Sequence, residues 1–216
     1  MSRVFSSLAL LALVACGSSP STTTTPAPPG TPVVVVLGDS LTAGPGLSPS
    51  NAYPALLQQR ARDAGYPHRV INAGVVGDTT ADALRRIDAA LIADTRVLVV
   101  ALGANDGLQG VPVATVKRNL TEIIERARGR DIRVLLAGMD APPTRGFQYS
   151  VDFHLIFPDL AQQFDVPLMP FLLAGVFGEP TLNLPDGFHP NAAGMRVIAD
   201  AMWPSLEPLL QATSAR

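Results

Sequence analysis

The sequence predicts an α/β fold in which a five-stranded parallel sheet carries helices on both faces. Three observations predict it. Apolar runs such as Val33-Val34-Val35-Val36-Leu37 are too continuous for a half-exposed strand and read as strands buried on both faces. Such runs alternate with segments whose apolar residues recur at helical spacing. Strand–helix alternation of this kind favours right-handed crossovers and parallel pairing.

The elements follow in order. Val33–Leu37 is the first strand, stopped by Gly38-Asp39-Ser40. Asn51 to Ala64 reads as a helix with Ala55, Leu56, Leu57 and Ala61 on one side, closed by Gly65. Arg69–Asn72 is a short second strand. Asp78-Thr79-Thr80 caps a helix through about Ala93, with Leu84, Ile87, Leu91 and Ile92 facing the core. Arg96–Leu102 is the third strand, ended by Gly103-Ala104-Asn105-Asp106-Gly107. Val113–Arg128 is a helix with Val116, Leu120, Ile123 and Ile124 inward. Ile132–Ala137 is the fourth strand, and Ala141–Tyr149 a longer loop with two prolines. Phe153, Phe157, Leu160 and Phe164 fall at helical spacing. Val166–Met169 is a fifth strand, which Pro167 demotes to an edge. A last helix runs from near Pro190 to about Leu210, bent at Pro204.

The 216 residues suit one larger domain with a sizeable core. Net charge near zero and the lack of a long basic run exclude a nucleic-acid footprint. The single cysteine, Cys16, excludes an intramolecular disulfide. Residues 1–15 have the form of an export signal, with Arg3 ahead of an apolar stretch, Leu8 to Val14, too short to span a bilayer. Leu13-Val14-Ala15-Cys16 resembles the bacterial lipobox, which implies lipidation of Cys16 and an exported, membrane-anchored protein on the periplasmic or cell-envelope side. Residues 16–31, rich in Ser, Thr and Pro, form a tether of roughly 20 Å mean reach. The folded domain is therefore expected over 32–216.

In a parallel sheet every strand-to-helix loop leaves by the same edge, where ligands bind. Ser40, the Gly74–Gly77 loop and the Asn105 loop must converge there, and the segment carrying Asp186 and His189 enters the last helix from it. A serine nucleophile needs a base within hydrogen-bond reach. His68 lies at the opposite edge and reads as a surface residue; His154 stands beside an apolar helix face or in solvent; His189 has Asp186 three residues before it, close enough to hold its Nδ1 proton. Gly77 at a helix start and the Asn105 amide offer donors for a developing oxyanion.

The blocks Gly38-Asp39-Ser40-Leu41, Gly77-Asp78-Thr79-Thr80, Gly103-Ala104-Asn105-Asp106 and Asp186-Gly187-Phe188-His189-Pro190 occur in that order and closely resemble the SGNH, or GDSL, hydrolase superfamily, nearest its bacterial thioesterase, lysophospholipase and arylesterase group. The resemblance extends over nearly the whole domain, including Tyr53-Pro54-Ala55-Leu56-Leu57. It implies a three-layer α/β/α sandwich of flavodoxin-like type and hydrolysis of carboxylic esters or thioesters through an acyl-enzyme on Ser40. It also implies His189 as base, Asp186 as its orienter, an oxyanion hole of Ser40, Gly77 and Asn105, and no cofactor or metal. Val76 stands where close relatives often carry serine, and Ala104 where glycine is common, so substrate range is less determined than chemistry.

Leu108, Val111, Met139, Phe147, Tyr149 and Phe188 lie in or beside loops at this edge and could wall an acyl or aryl pocket for a small-molecule ester. Two other readings compete. One is a metal-dependent hydrolase using Asp39, Asp106, Asp186 and His189, although no cluster has metal-ligand spacing. The other is a non-catalytic lipoprotein that binds acyl chains or glycans, which would need no nucleophile, base or oxyanion donors.

Overall fold

The computed structural model describes residues 30–214. The expected export signal (1–15), Cys16 and nearly all of the tether lie outside the described residues. The chain begins its sheet at β1 (Val33–Gly38), followed by α1 (Ser40–Ala43), α2 (Tyr53–Asp63), β2 (Arg69–Gly74), α3 (Thr80–Ala90), β3 (Thr95–Ala101), α4 (Ala104–Gln109), α5 (Val113–Arg128), β4 (Arg133–Ala137), α6 (Phe147–Phe164), β5 (Leu168–Met169) and α7 (Ala192–Thr213).

The five strands pair in the order β2-β1-β3-β4-β5, all parallel. All six residues of β1 are buried because it has a strand on each side and helices above and below. Full burial of one valine or leucine side chain contributes about 1.5–3 kcal/mol, so this strand anchors the core. β2 is an edge strand and half-exposed. β5 forms the other edge, as Pro167 led one to expect. Helices α2 and α7 pack on each other on one face, while α5 packs between α3 and α6 on the other. The result is a three-layer α/β/α sandwich.

Strand order reverses direction at β1, since β2 lies to one side of it and β3 to the other. Register makes the three carboxyl ends level: Gly38 pairs with Gly74 and with Ala101. The segments after these residues, Asp39-Ser40, Val75–Asp78 and Leu102–Asn105, therefore leave the sheet side by side. That is where a crevice opens in doubly wound sheets.

Several expectations need correction. Gly103–Gly107 does not lie in a loop: residues 104–109 form α4, entered through Gly103 at φ +121°. α6 starts at Phe147, so Phe147 and Tyr149 sit on a helix, because the two prolines occupy only the turn before it. α3 ends at Ala90 rather than Ala93, and Ile92, expected inward, is exposed beyond its end. The last helix continues through Pro204 and Pro208 to Thr213. His68 is not on the surface. It is 2% exposed, covered by the end of α7, and its Nε2 lies 2.9 Å from Thr213 Oγ1. Burial lowers its pKa.

Candidate active site

Ser40 opens α1 at the carboxyl end of β1. Asp39, the helix N-cap, accepts the Leu41 amide at 2.9 Å, and Gly44 closes the helix in the left-handed region at φ +71°. Gly38 is required by proximity, since a Cβ there would lie 2.0 Å from Thr42 Oγ1. The turn is thus pressed onto the strand end, and Ser40 remains half-buried with its hydroxyl facing the crevice edge.

His189 Nε2 is 3.0 Å from Ser40 Oγ. Its Nδ1 is 2.7 Å from Asp186 Oδ2, while Asp186 Oδ1 accepts the amides of Phe188 and His189 at 2.9 and 3.0 Å. Those two amides, with the imidazole, hold the Asp186 carboxyl down to about 2. An ionised carboxylate can only accept, so Nδ1 carries the proton and Nε2 presents a lone pair to the serine hydroxyl. The segment carrying Asp186 and His189 is fixed by the Leu184 amide donating to the His189 carbonyl at 2.7 Å and by Asn191, whose side chain caps α7.

Gly77 is exposed at φ +86°, a conformation that favours glycine, and no atom would crowd a Cβ there. Neither its amide nor that of Ser40 donates to another backbone group. Asn105, on the first turn of α4, donates from Nδ2 to the Asp78 carbonyl at 2.9 Å and makes a longer contact of 3.4 Å with Asp39 Oδ2. One of its two amide protons is therefore firmly held and the other only weakly engaged. The three donors expected to surround an oxyanion lie on the three segments that the register makes level.

Two buried carboxylates that sequence reading considered only as metal ligands stand behind this edge. Asp39 is fully buried, and burial raises its pKa to about 6. Asp106 is also fully buried; it accepts the Thr80 amide at 2.8 Å and the Thr80 hydroxyl at 2.6 Å, and burial raises its pKa. Asn119 donates to the same hydroxyl at 3.0 Å. Asp106 thereby ties α4, which carries Asn105, to the first turn of α3. Among the described residues no group of three His, Cys, Asp or Glu side chains could hold a metal ion.

Of the residues expected to wall a pocket, Leu108, Phe147 and Phe188 are exposed at this edge, at 47, 84 and 58%. Val111 is half-buried, and its carbonyl accepts the Tyr149 hydroxyl at 2.7 Å. Met139 departs from the set: it is buried in the core, beneath Gly103. His154 is solvated, with Nδ1 2.8 Å from Asp140.

Residues 36–197 match the GDSL-like lipase/acylhydrolase family. The chain is 40% identical to Esterase TesA of Pseudomonas aeruginosa over 178 residues, which covers 82% of this chain and 89% of the relative. It is 37% identical to Thioesterase 1/protease 1/lysophospholipase L1 of Escherichia coli over 178 residues, covering 82% and 84%. A crystal structure of TesA superposes with a TM-score of 0.78 at 39% identity, covering 82% of this chain and 99% of that one.

Proposed function

The chain belongs to the GDSL-like lipase/acylhydrolase family and hydrolyses carboxylic esters or thioesters; we propose that it does so through an acyl-enzyme on Ser40. The observation that carries this reading is the Ser40–His189–Asp186 relay, with both contacts at hydrogen-bond length.

Ser40 Oγ attacks the acyl carbonyl while His189 Nε2 takes its proton. Asp186 holds the imidazole in the required tautomer and stabilises the imidazolium. The oxyanion forms against the amides of Ser40 and Gly77 and the second Asn105 proton, which exchanges a weak contact with Asp39 for a strong one. Collapse of the tetrahedral adduct expels the alcohol or thiol, which leaves with the proton from His189. Water then enters by the same route, with His189 as base, and releases the acid.

The acyl or aryl group of a small-molecule ester lies along Leu108, Phe147 and Phe188, apolar side chains exposed at the edge of the sheet that carries the relay. The chain is exported, and Cys16 is lipidated to tether the domain to a membrane; the Leu-Val-Ala-Cys run and the Ser/Thr/Pro segment after it support this. Among the described residues no helix is long and apolar enough to cross a membrane. A non-catalytic binder of acyl chains or glycans finds no support, since both curated relatives described above carry enzyme names.

Hydrolysis of p-nitrophenyl esters of graded acyl length by wild type and Ser40→Ala tests the reaction. Activity is expected to vanish in the variant, and full activity there would refute Ser40 as nucleophile. For the anchor, wild type is expected to partition into detergent and Cys16→Ser into the aqueous phase. Equal solubility of the two after export would refute lipidation.

A further inference from the structure

The turn that carries Gly77 is fastened to the nucleophile turn by a closed circuit of contacts, and one member of that circuit is a helix arginine that makes no hydrogen bond to Ser40 or His189. Arg86, on the second turn of α3, donates from Nε to Asp78 Oδ2 at 2.6 Å and from Nη2 to the Gly38 carbonyl at 3.1 Å. Asp78 follows Gly77, and its own carbonyl accepts Asn105 Nδ2 at 2.9 Å. Asn105 Nδ2 faces Asp39 Oδ2, and Asp39 is bonded to Gly38. The circuit Gly38–Arg86–Asp78–Asn105–Asp39 thus closes through three hydrogen bonds, the weaker 3.4 Å contact and the Gly38–Asp39 peptide bond, and it links the segments that carry the three oxyanion donors. Gly38 is the shared anchor, because its carbonyl also accepts the Val75 amide at 3.0 Å. Both ends of the Val75–Asp78 turn are therefore held to the residue two places before Ser40.

We infer that Arg86 is a positioning residue for the oxyanion hole, acting through Asp78 on Gly77 and Asn105. Few other contacts could hold the turn. Gly77 is exposed, a Cβ on it would touch nothing, and within the turn the one backbone bond is the Asp78 amide to the Val75 carbonyl, at 3.2 Å. The Arg86 and Asp78 side chains are only 26 and 11% exposed, so solvent screens their ion pair less than it would a surface pair. A guanidinium suits this place because it reaches a carboxylate and a carbonyl at once in a fixed plane, which a lysine ammonium on a flexible stem does not. A clamp of this kind acts on donors that matter when charge develops, so its loss should appear in kcat and leave KM alone.

The inference rests on the acyl-enzyme reading above. Steady-state kinetics with p-nitrophenyl butyrate on wild type, Arg86→Ala, Arg86→Lys, Asp78→Asn and Ser40→Ala test it. Asp78→Asn preserves volume and the backbone carbonyl, and it stands as the second probe if Arg86→Ala does not fold. Arg86→Ala is expected to lose about 10–10²-fold in kcat with KM within about 2-fold, since a misplacement near 1 Å can cost that much. Guanidinium at non-denaturing millimolar concentration should restore part of that kcat in Arg86→Ala and none in Ser40→Ala. Arg86→Lys should fall between wild type and Arg86→Ala. Wild-type kcat in Asp78→Asn and Arg86→Ala, or a loss confined to KM, would overturn the clamp while Ser40→Ala stays inactive. A loss of kcat that guanidinium leaves untouched in a folded Arg86→Ala would overturn it too. Activity retained by Ser40→Ala would instead remove the acyl-enzyme reading itself.

Discussion

Replacing Asp39 by asparagine should make the protein more stable and less active. Asp39 is fully buried, and its carboxyl titrates near 6 rather than 3.8. Burial is the first cause, partly offset by the Leu41 amide and by His189, with Asp106 adding like-charge repulsion. A folded value above the unfolded one means that the fold binds the proton more tightly. The charged form therefore costs stability: nothing below about pH 4, where the carboxyl is neutral in both states, and the full amount above about pH 6. Two units at about 1.4 kcal/mol each give a cost of about 3 kcal/mol. Asparagine carries no charge and can still accept the Leu41 amide, so the Asp39→Asn variant should escape this cost. Its new NH₂ would face the Asn105 amide, donor against donor, so Asn105 should turn and kcat should fall. Urea unfolding of both proteins from pH 4 to pH 8 reads the effect as the change of their stability difference with pH, to which His189 and Asp106, the charged groups coupled to Asp39, add a smaller part. The stability difference should grow in favour of Asp39→Asn by about 3 kcal/mol across that range, or about 6–12 °C in Tm. A difference that stays flat with pH would refute the reasoning, whatever the activity.

Asn105→Ala should lower kcat by about 10²–10³ with little change in KM; a drop confined to KM in ester kinetics would reassign Asn105 to ground-state binding. Asp186→Asn should fold normally and lose several orders of magnitude in rate, about 10⁴ in the serine-protease template, by favouring the wrong tautomer. His189→Ala should be nearly as inactive as Ser40→Ala, whereas His154→Ala, whose imidazole pairs with Asp140 in solvent, should keep the wild-type rate. His68→Ala should keep its rate but unfold at lower urea, because the ring is buried against Thr213. Phe188→Ala should raise KM for octanoyl esters by roughly 10-fold and leave acetyl esters within about 2-fold, as read with p-nitrophenyl esters of both lengths.

The central strands were legible because burial on both faces marks every residue. Val33–Leu37 and Val97–Leu102 leave no polar position to dispute. The edge strand β2 was legible only as a short apolar patch, consistent with its half-exposure. What the sequence concealed were elements too short to show a period. α4 has six residues, fewer than two turns, and a composition of turn formers. It forms because Gly103 redirects the chain and because Asp106 bonds Thr80 across to α3. Neither reason is visible in residues 104–109 by themselves. His68 was misread for the same kind of reason: what covers it arrives 145 residues later, at the end of α7.

Within the site, Ser40, Asp186 and His189 stood out because each carries a local signal, although Ser40 and His189 are 149 residues apart. A serine ends an apolar run, and a carboxylate stands three residues before a histidine. The clamp behind them was not, because Arg86 is 48 residues from Gly38, and a helix arginine ordinarily reads as solvated. One trace did remain in the chain. On α5, Asn119 interrupts the inward stripe of Val116, Leu120 and Ile123, and it is 8% exposed. A buried amide is tolerated only when its hydrogen bonds are met, so a polar residue on that stripe required a polar partner across the interface. That partner is the Thr80 hydroxyl, held by Asp106 directly beside Asn105. The out-of-place asparagine thus points from the core towards the oxyanion segment.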